Sequence, residues 1–256
     1  MSDIKISRNG SMLEIALDRP KKKNALTFAM YGALTEALKS ANEDGGVRVV
    51  LLSGEGDSFC AGNDIGDFLS SPGLDPVTAP PMLFIDALIR FDKPLVAAVQ
   101  GAAVGIGTTM LLHADLVYAD DTAKFSVPFV GLGLVPEAAS SVLLPRRIGQ
   151  AAANDMLLRS SVVSAKRAVE LGLVNEIAPT SEGLLAFARS RAEEVASKPP
   201  RAVRATKALA GANREELLAC ARREAEQFAT SIASEEAREA FQAFMERRAP
   251  DFSRFS

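Results

Sequence analysis

The sequence predicts an α/β fold in which a core of parallel strands alternates with helices and is followed by a largely helical C-terminal region. Three observations carry this. Short, almost wholly apolar runs at 47–52, 95–99 and 115–119 have the texture of strands buried on both faces. A helix over 27–42 precedes them and 79–91 and 105–113 read as helices between them, so strand and helix alternate through roughly the first 145 residues. Beyond that point 149–158, 164–171, 181–197, 201–210, 214–232 and 234–246 all read as helices, with 174–177 as a single late strand.

The chain opens with extended runs at 3–7 and 12–17 on either side of Asn9-Gly10, a dipeptide that favours a hairpin turn. Arg19-Pro20-Lys21-Lys22-Lys23-Asn24 is a basic loop, and a lysine run more often marks a solvated face than a site. From Thr27, a suitable N-cap, Met30, Ala33, Leu34, Ala37, Leu38 and Ala41 recur with the helical period until Gly45-Gly46. The last two helices carry the stripes Leu217, Leu218, Ala221, Ala225, Phe228, Ala229, Ile232 and then Ala237, Ala240, Phe241, Phe244. Stripes this apolar pack on a core or on another subunit. The break at Pro199-Pro200 is too short for a domain linker.

Apolar residues make up 48% of the 256 and charged residues 24%, the profile of a globular protein. A net charge of −3 with interleaved signs speaks against a nucleic-acid partner, which needs a dense basic footprint. No apolar run approaches the ~18 residues of a membrane span, and residues 1–10 lack the apolar core of a signal peptide. Two distant cysteines, Cys60 and Cys220, fit a reducing compartment and no metal site. The expectation is a soluble cytoplasmic protein.

Residues 128–141 place one acid, Glu137, after a proline and between apolar and small residues. Pro136 suits the first position of a helix, which would put Glu137 in the first turn at the positive end of the helix dipole. Glu137 then reads either as a surface acid completing a helix terminus or as a general base in an apolar pocket. Two glycine-rich segments, 59–65 and 100–109, each follow a strand and open a helix. That arrangement leaves backbone N–H groups unpaired and able to bind an anion or a developing oxyanion, though an ordinary loop has the same texture. Gly101, Gly105 and Gly107 do not have the G-x-G-x-x-G spacing of a dinucleotide site. His113 is the only histidine and lies in an apolar helix, so it reads as packed. With one histidine there is no Ser-His-Asp triad, no Cys-His pair and no zinc cluster, and no P-loop is present. Any chemistry must run on carboxylates and backbone donors.

With those residues in place, the chain resembles the crotonase (enoyl-CoA hydratase/isomerase) superfamily. Ala61-Gly62-Asn63-Asp64-Ile65, the segment Gln100 to Gly107, and 125–137 carry the likeness at matching separations, over about residues 3–248. The resemblance implies a spiral of ββα units over 1–198 and a helical trimerisation region over 199–256. It implies a homotrimer or hexamer, no metal, and an acyl-CoA thioester substrate whose coenzyme A is the only cofactor-like group. It also implies an oxyanion hole from the amides of Ala61 and Ile106. Hydratases of the superfamily carry two glutamates where this chain has Thr109 and Phe129. Glu137, in Leu134-Val135-Pro136-Glu137, instead matches the base of the peroxisomal-type Δ3,Δ2-enoyl-CoA isomerase branch, as do Asn63 and the 19–25 loop. By the same likeness Lys22, Lys23 and Ala25, with Gly62, Asn63, Asp64, Ile65, Gly105 and Phe129, face the substrate. Val130, Leu132 and Leu134 join Phe129 in an apolar wall, and Lys207 is a weaker phosphate candidate. The stretch 68–81 reads as a mobile loop flanking the acyl pocket. A hydratase or lyase using Glu137 or Asp64, and a non-catalytic acyl-CoA binder, stay open beside the isomerase.

Overall fold

The opening hairpin sets one edge of the main sheet. In the computed structural model, which describes residues 3–70, 75, 77–246 and 248–255, β1 (Ile4–Asn9) pairs antiparallel with β2 (Met12–Leu17). Asn9 faces Met12, so the turn sits at residues 10 and 11, one further along than Asn9-Gly10 suggested, with Gly10 taking the positive φ of 57°. Thr27 caps α1 (Phe28–Glu43) through the Met30 amide, as its position predicted. The chain continues through β3 (Val49–Gly54), α2 (Ile65–Ser70), α3 (Pro80–Ile89) and β4 (Leu95–Val99).

Beyond β4 each unit repeats one device. β4 runs in the first sheet, turns at 100–101, and gives β5 (Ala102–Val104) in a second sheet before α4 (Ile106–Thr109). β6 (Leu116–Ala119) and β7 (Lys124–Ser126) repeat the step ahead of α5 (Ser140–Ile148). Gly101 makes the corner: its φ is 54°, and a Cβ there would overlap the Asp57 carbonyl. Then follow α6 (Gln150–Arg159), β8 (Val163–Ser164), α7 (Ala165–Glu170), β9 (Glu176–Ile177) and α8 (Leu184–Ala196). The chain closes with α9 (Pro200–Ala210), α10 (Arg214–Ile232) and α11 (Glu235–Glu246). The main sheet has the order β1-β2-β3-β4-β6-β9, parallel from β2 onward, and the second sheet is β5-β7-β8.

The apolar strand runs are explained by what covers them. On one face Val50, Leu52, Leu95, Ala97, Val99, Val117 and Ala119 join α1 and α3 in the larger core. On the other, Val49, Leu51, Val96, Ala98 and Tyr118 meet Leu184, Ala188, Ala192 and Ala196 of α8. Successive strand residues point to opposite faces, and the i, i+4 spacing puts the α8 residues on one stripe.

Three expectations need correction. The helix read over 105–113 is α4 followed by a separate 3-10 turn over Met110–His113. The late strand is only two residues long, and the second sheet was not foreseen at all, because strands of two or three residues are too short to show a period. The helix expected to begin at Pro136 begins at Ser140.

Candidate active site

The loop leaving β3 alternates its hydrogen bonds between two neighbours. Cys60 pairs with Ala103: its amide donates to the Ala102 carbonyl and its carbonyl accepts from Val104, both at 2.9 Å. Asn63 pairs with Leu26 in a parallel bridge, where the Leu26 amide donates to Gly62 at 2.8 Å and the Asp64 amide to Leu26 at 2.9 Å. In such a bridge the central residue's own N–H points away from the partner strand. The Asn63 amide accordingly donates to no acceptor among the described residues. Gly62 turns the chain between the bridges with a φ of 99°, and a Cβ there would come within 3.2 Å of the Val104 carbonyl. Ala61, expected as an oxyanion donor, is corrected here: its amide faces the basic loop and is committed to the Lys23 carbonyl at 2.9 Å. Asn63 supplies the open amide of this loop instead.

In the second loop Gly105, at φ 56° and ψ −121°, swings the chain into α4. The Ile106 amide, at the start of that helix, has no acceptor among the described residues. Gly107 sits directly on Cys60, where a Cβ would overlap the Cys60 carbonyl. The two loops are in backbone contact, with an open amide on each.

Glu137 approaches from a different direction. Ala138 and Ala139 both adopt left-handed conformations, φ 59° and 56°. A right-handed helix cannot contain that pair, so α5 starts after them and Glu137 stands outside its first turn. The side chain turns inward and is 9% exposed. The hydroxyl of Thr109, the last residue of α4, donates to Glu137 Oε1, while Oε2 accepts from no donor among the described residues. Burial pushes the Glu137 carboxyl up to about 8; the Thr109 hydroxyl pulls it part of the way back, and the charge of Glu224 adds to the rise. Burial, then the nearby Glu137 charge, holds the Tyr31 phenol well above its usual range. Burial also pushes the Cys60 thiol up to about 12, with the Glu137 charge a lesser contributor. The Tyr31 hydroxyl donates to Asn63 Oδ1. Glu137 therefore borders both loops, one through Thr109 and the other through Tyr31 and Cys60.

The remaining expected residues divide. Phe129 is 5% exposed, and its ring lies 4.0 Å from where a Gly105 Cβ would stand. Leu134 is buried and Leu132 half-buried, but Val130 is 46% exposed and does not seal the wall. Asp64 pairs with Arg19 at 2.7 Å and accepts from the Gly66 amide; chiefly the Arg19 hydrogen bond holds its carboxyl below the usual range, which makes it a poor base. Ile65 opens α2 against the core. Lys22 and Lys23 are exposed on a loop anchored by buried Asn24, whose side chain bonds the Arg19 amide and the Glu55 and Ser58 carbonyls. The carbonyl of half-buried Ala25 accepts from Arg19. Lys207 is not available for phosphate, because its ammonium binds Asp115 at 2.8 Å and the Lys93 carbonyl at 2.7 Å. The stretch 68–81 includes 71–74 and 76, which lie outside the described residues. Burial pushes His113 down to about 4, as befits a packed, neutral side chain.

Sequence reasoning passed over Tyr31 and Glu224. A signal existed for Glu224: it sits at the 217, 221, 224, 228 spacing of the α10 apolar stripe, where an acid is out of place. Among the described residues no group of three or more His, Cys, Asp or Glu could hold a metal, and no helix is long and apolar enough to cross a membrane.

The family model for enoyl-CoA hydratase/isomerase matches residues 7–254. Enoyl-CoA delta isomerase 2 of Rattus norvegicus is 39% identical over 220 residues, covering 84% of this chain and 56% of that protein. The 2,3-dehydroadipyl-CoA hydratase of Escherichia coli (strain K12) is 32% identical, covering 98% of this chain and 99% of that protein. The crystal structure of an enoyl-CoA hydratase/isomerase from Pseudoalteromonas atlantica T6c superposes with a TM-score of 0.92 at 42% identity, covering 98% of this chain and 100% of that one. The chain spans little more than half the length of the delta isomerases it matches, 56% and 58%. The chain belongs to the enoyl-CoA hydratase/isomerase family, the crotonase superfamily.

Proposed function

We propose that this family member is a Δ3,Δ2-enoyl-CoA isomerase, moving the double bond of a 3-enoyl-CoA into conjugation as the 2-trans-enoyl-CoA. The observation that carries the reading is Glu137: a buried carboxyl raised to about 8, one oxygen held by Thr109 and the other open, beside two loops with open amides. Removal of the C2 proton leaves a thioester enolate. The amides of Asn63 and Ile106 receive the charge on the thioester oxygen, each such donor being worth roughly 3 kcal/mol, or about 10²-fold in rate. Glu137 takes the C2 proton and returns it to C4 as the electron pair shifts, so nothing is added or lost and no cofactor is required. A base whose pKa lies near the working pH contributes about 10²–10⁴-fold. Phe129 keeps water from the product, and Lys22 and Lys23 meet the phosphates of coenzyme A. Phe244, Met245 and Leu209, all exposed, support self-association as a trimer or hexamer.

The second reading is hydration, favoured by the hydratase relative that matches end to end. Against it stand Thr109 and Phe129 where water-adding relatives of the superfamily carry acids, and the pairing of Asp64 with Arg19. Supplying purified protein with a 3-enoyl-CoA and, separately, a 2-enoyl-CoA tests both by absorbance of the conjugated thioester. A rise with the first substrate is expected. A loss with the second and no rise with the first would overturn the isomerase in favour of hydration, and tight acyl-CoA binding without turnover of either would mark a non-catalytic binder.

A further inference from the structure

The peptide joining Ala138 to Ala139, directly after Glu137, is held at both ends by distant residues. Its carbonyl lies 2.8 Å from His113 Nε2, and its N–H donates to Glu224 Oε2 at 2.6 Å. Only a protonated nitrogen can bond a carbonyl, so Nε2 of the neutral imidazole carries the hydrogen. The other Glu224 oxygen accepts from the Ser141 amide at 2.9 Å and from the Ser141 hydroxyl. Glu224 is 8% exposed and stands in the apolar stripe of α10. A buried carboxylate persists only where donors satisfy it. Apart from the Cys220 thiol of α10, 3.5 Å from Oε1, these donors belong to Ala139 and Ser141, in the segment that follows Glu137. The turn itself needs holding, because two successive alanines are in the left-handed region that residues with a Cβ avoid.

We propose that Glu224 and His113 are positioning residues for Glu137, gripping the 138–139 peptide from its two ends so that the left-handed turn aims the carboxylate at Thr109 and the open amides. This rests on Glu137 being the base. The groups around Glu137 are Thr109 from α4, Tyr31 from α1, Cys60 from the loop after β3 and Glu224 from α10, with Lys207 and Arg147 facing His113. Glu224 is the acid whose charge adds to the rise of Glu137, so its loss should let Glu137 ionise at lower pH.

The test uses the whole chain as E224Q, H113L and H113Q, with carboxyl-13C glutamate so that Glu137 can be titrated by NMR, its signal assigned by its disappearance in E137Q. The side-chain amide nitrogen introduced by H113Q can replace Nε2 as donor, whereas the side chain introduced by H113L has no donor. We expect kcat on a 3-enoyl-CoA to fall at least 10-fold in E224Q and H113L with KM within about twofold, and H113Q to recover to within about threefold of the parent. We expect the Glu137 titration in E224Q to move to lower pH. E224Q and H113L that melt at lower temperature yet keep parental kcat and parental Glu137 titration would overturn the proposal, leaving the two residues a structural role. If E224Q does not fold, the contrast between H113L and H113Q decides by the same criteria. If the parent protein turns over no enoyl-CoA, the isomerase reading fails, while a Glu137 titration that moves in H113L and returns in H113Q, where no neighbouring carboxylate has been removed, still supports the grip, and one unmoved in H113L overturns it.

Discussion

The amides of Asn63 and Ile106 and the carboxyl of Glu137, the donors and the base of the proposed isomerase, are placed by opposite means. The amides are placed by main-chain pairing. Two isolated bridges, Cys60 with Ala103 and Leu26 with Asn63, fix the first loop, and glycines 62, 105 and 107 let the second lie against it. The carboxylate is placed by side chains: Thr109 on one oxygen, His113 and Glu224 on the next peptide, and burial around it. The difference teaches where each half is vulnerable. The donor half should tolerate changed side chains and fail on a lost glycine; the base half should do the reverse.

Glu137→Gln attacks the base half most directly. It should lower kcat by about 10²–10⁴-fold while acyl-CoA affinity, measured by calorimetry, stays within a few-fold. A variant that keeps even a tenth of the parental kcat would remove Glu137 from the chemistry. Next in size is Gly105→Ala on the donor half. Space exists for the methyl group, 4.0 Å from Phe129, so the penalty comes from forcing alanine into φ 56°, ψ −121°, about 1–3 kcal/mol. Displacement of the Ile106 amide should cost about 10²-fold in kcat. Asn63→Ala, by contrast, keeps its main-chain amide and should stay within about fivefold; a hundredfold loss there would show that the side chain, not the backbone, is the donor.

Thr109→Val makes a smaller change in the base half. The hydroxyl favours the ionised form, so without it the Glu137 carboxyl should rise further above about 8. Since the base must be ionised, the parental kcat/KM should climb as pH rises through about 8, and in Thr109→Val the climb should come at higher pH with roughly tenfold less activity at pH 7. An unmoved profile would detach Thr109 from the base. The smallest effect concerns stability. Between its ordinary 4.5 and about 8, the folded protein holds a proton on Glu137 that the unfolded chain releases. Stability from this group is complete below 4.5 and is lost as pH rises through about 8. Glu137→Gln should therefore melt within error of the parent near pH 4.5 and several degrees above it at pH 8.5, by calorimetry. Equal melting temperatures at both values would mean that the carboxyl is not held against its charge.

Much of this was legible beforehand, unevenly. The strand at 95–99 and the helix at 214–232 match the structure residue for residue, because an apolar run and a long amphipathic period are local properties. The second sheet was invisible since its strands hold two or three residues each. Glu137 stood out because the chain has no other plausible chemistry nearby. Its helix dipole did not survive, since nothing in Pro136-Glu137-Ala138-Ala139 announces two left-handed alanines. The assignment of Ala61 as donor failed for the same kind of reason: its partner is a carbonyl in the basic loop, chosen by how that loop folds back.

From the sequence alone came the order of the main-sheet strands and the longer helices, the two glycine corners and the candidate acid, because spacing, turn chemistry and residue type act over a few neighbours. Tertiary structure alone decided which amides remain open and where the acid points. Those outcomes depend on partners such as Thr109, 28 residues from Glu137, and Glu224, 85 residues from Ala139, and only packing brings such groups within hydrogen-bond reach.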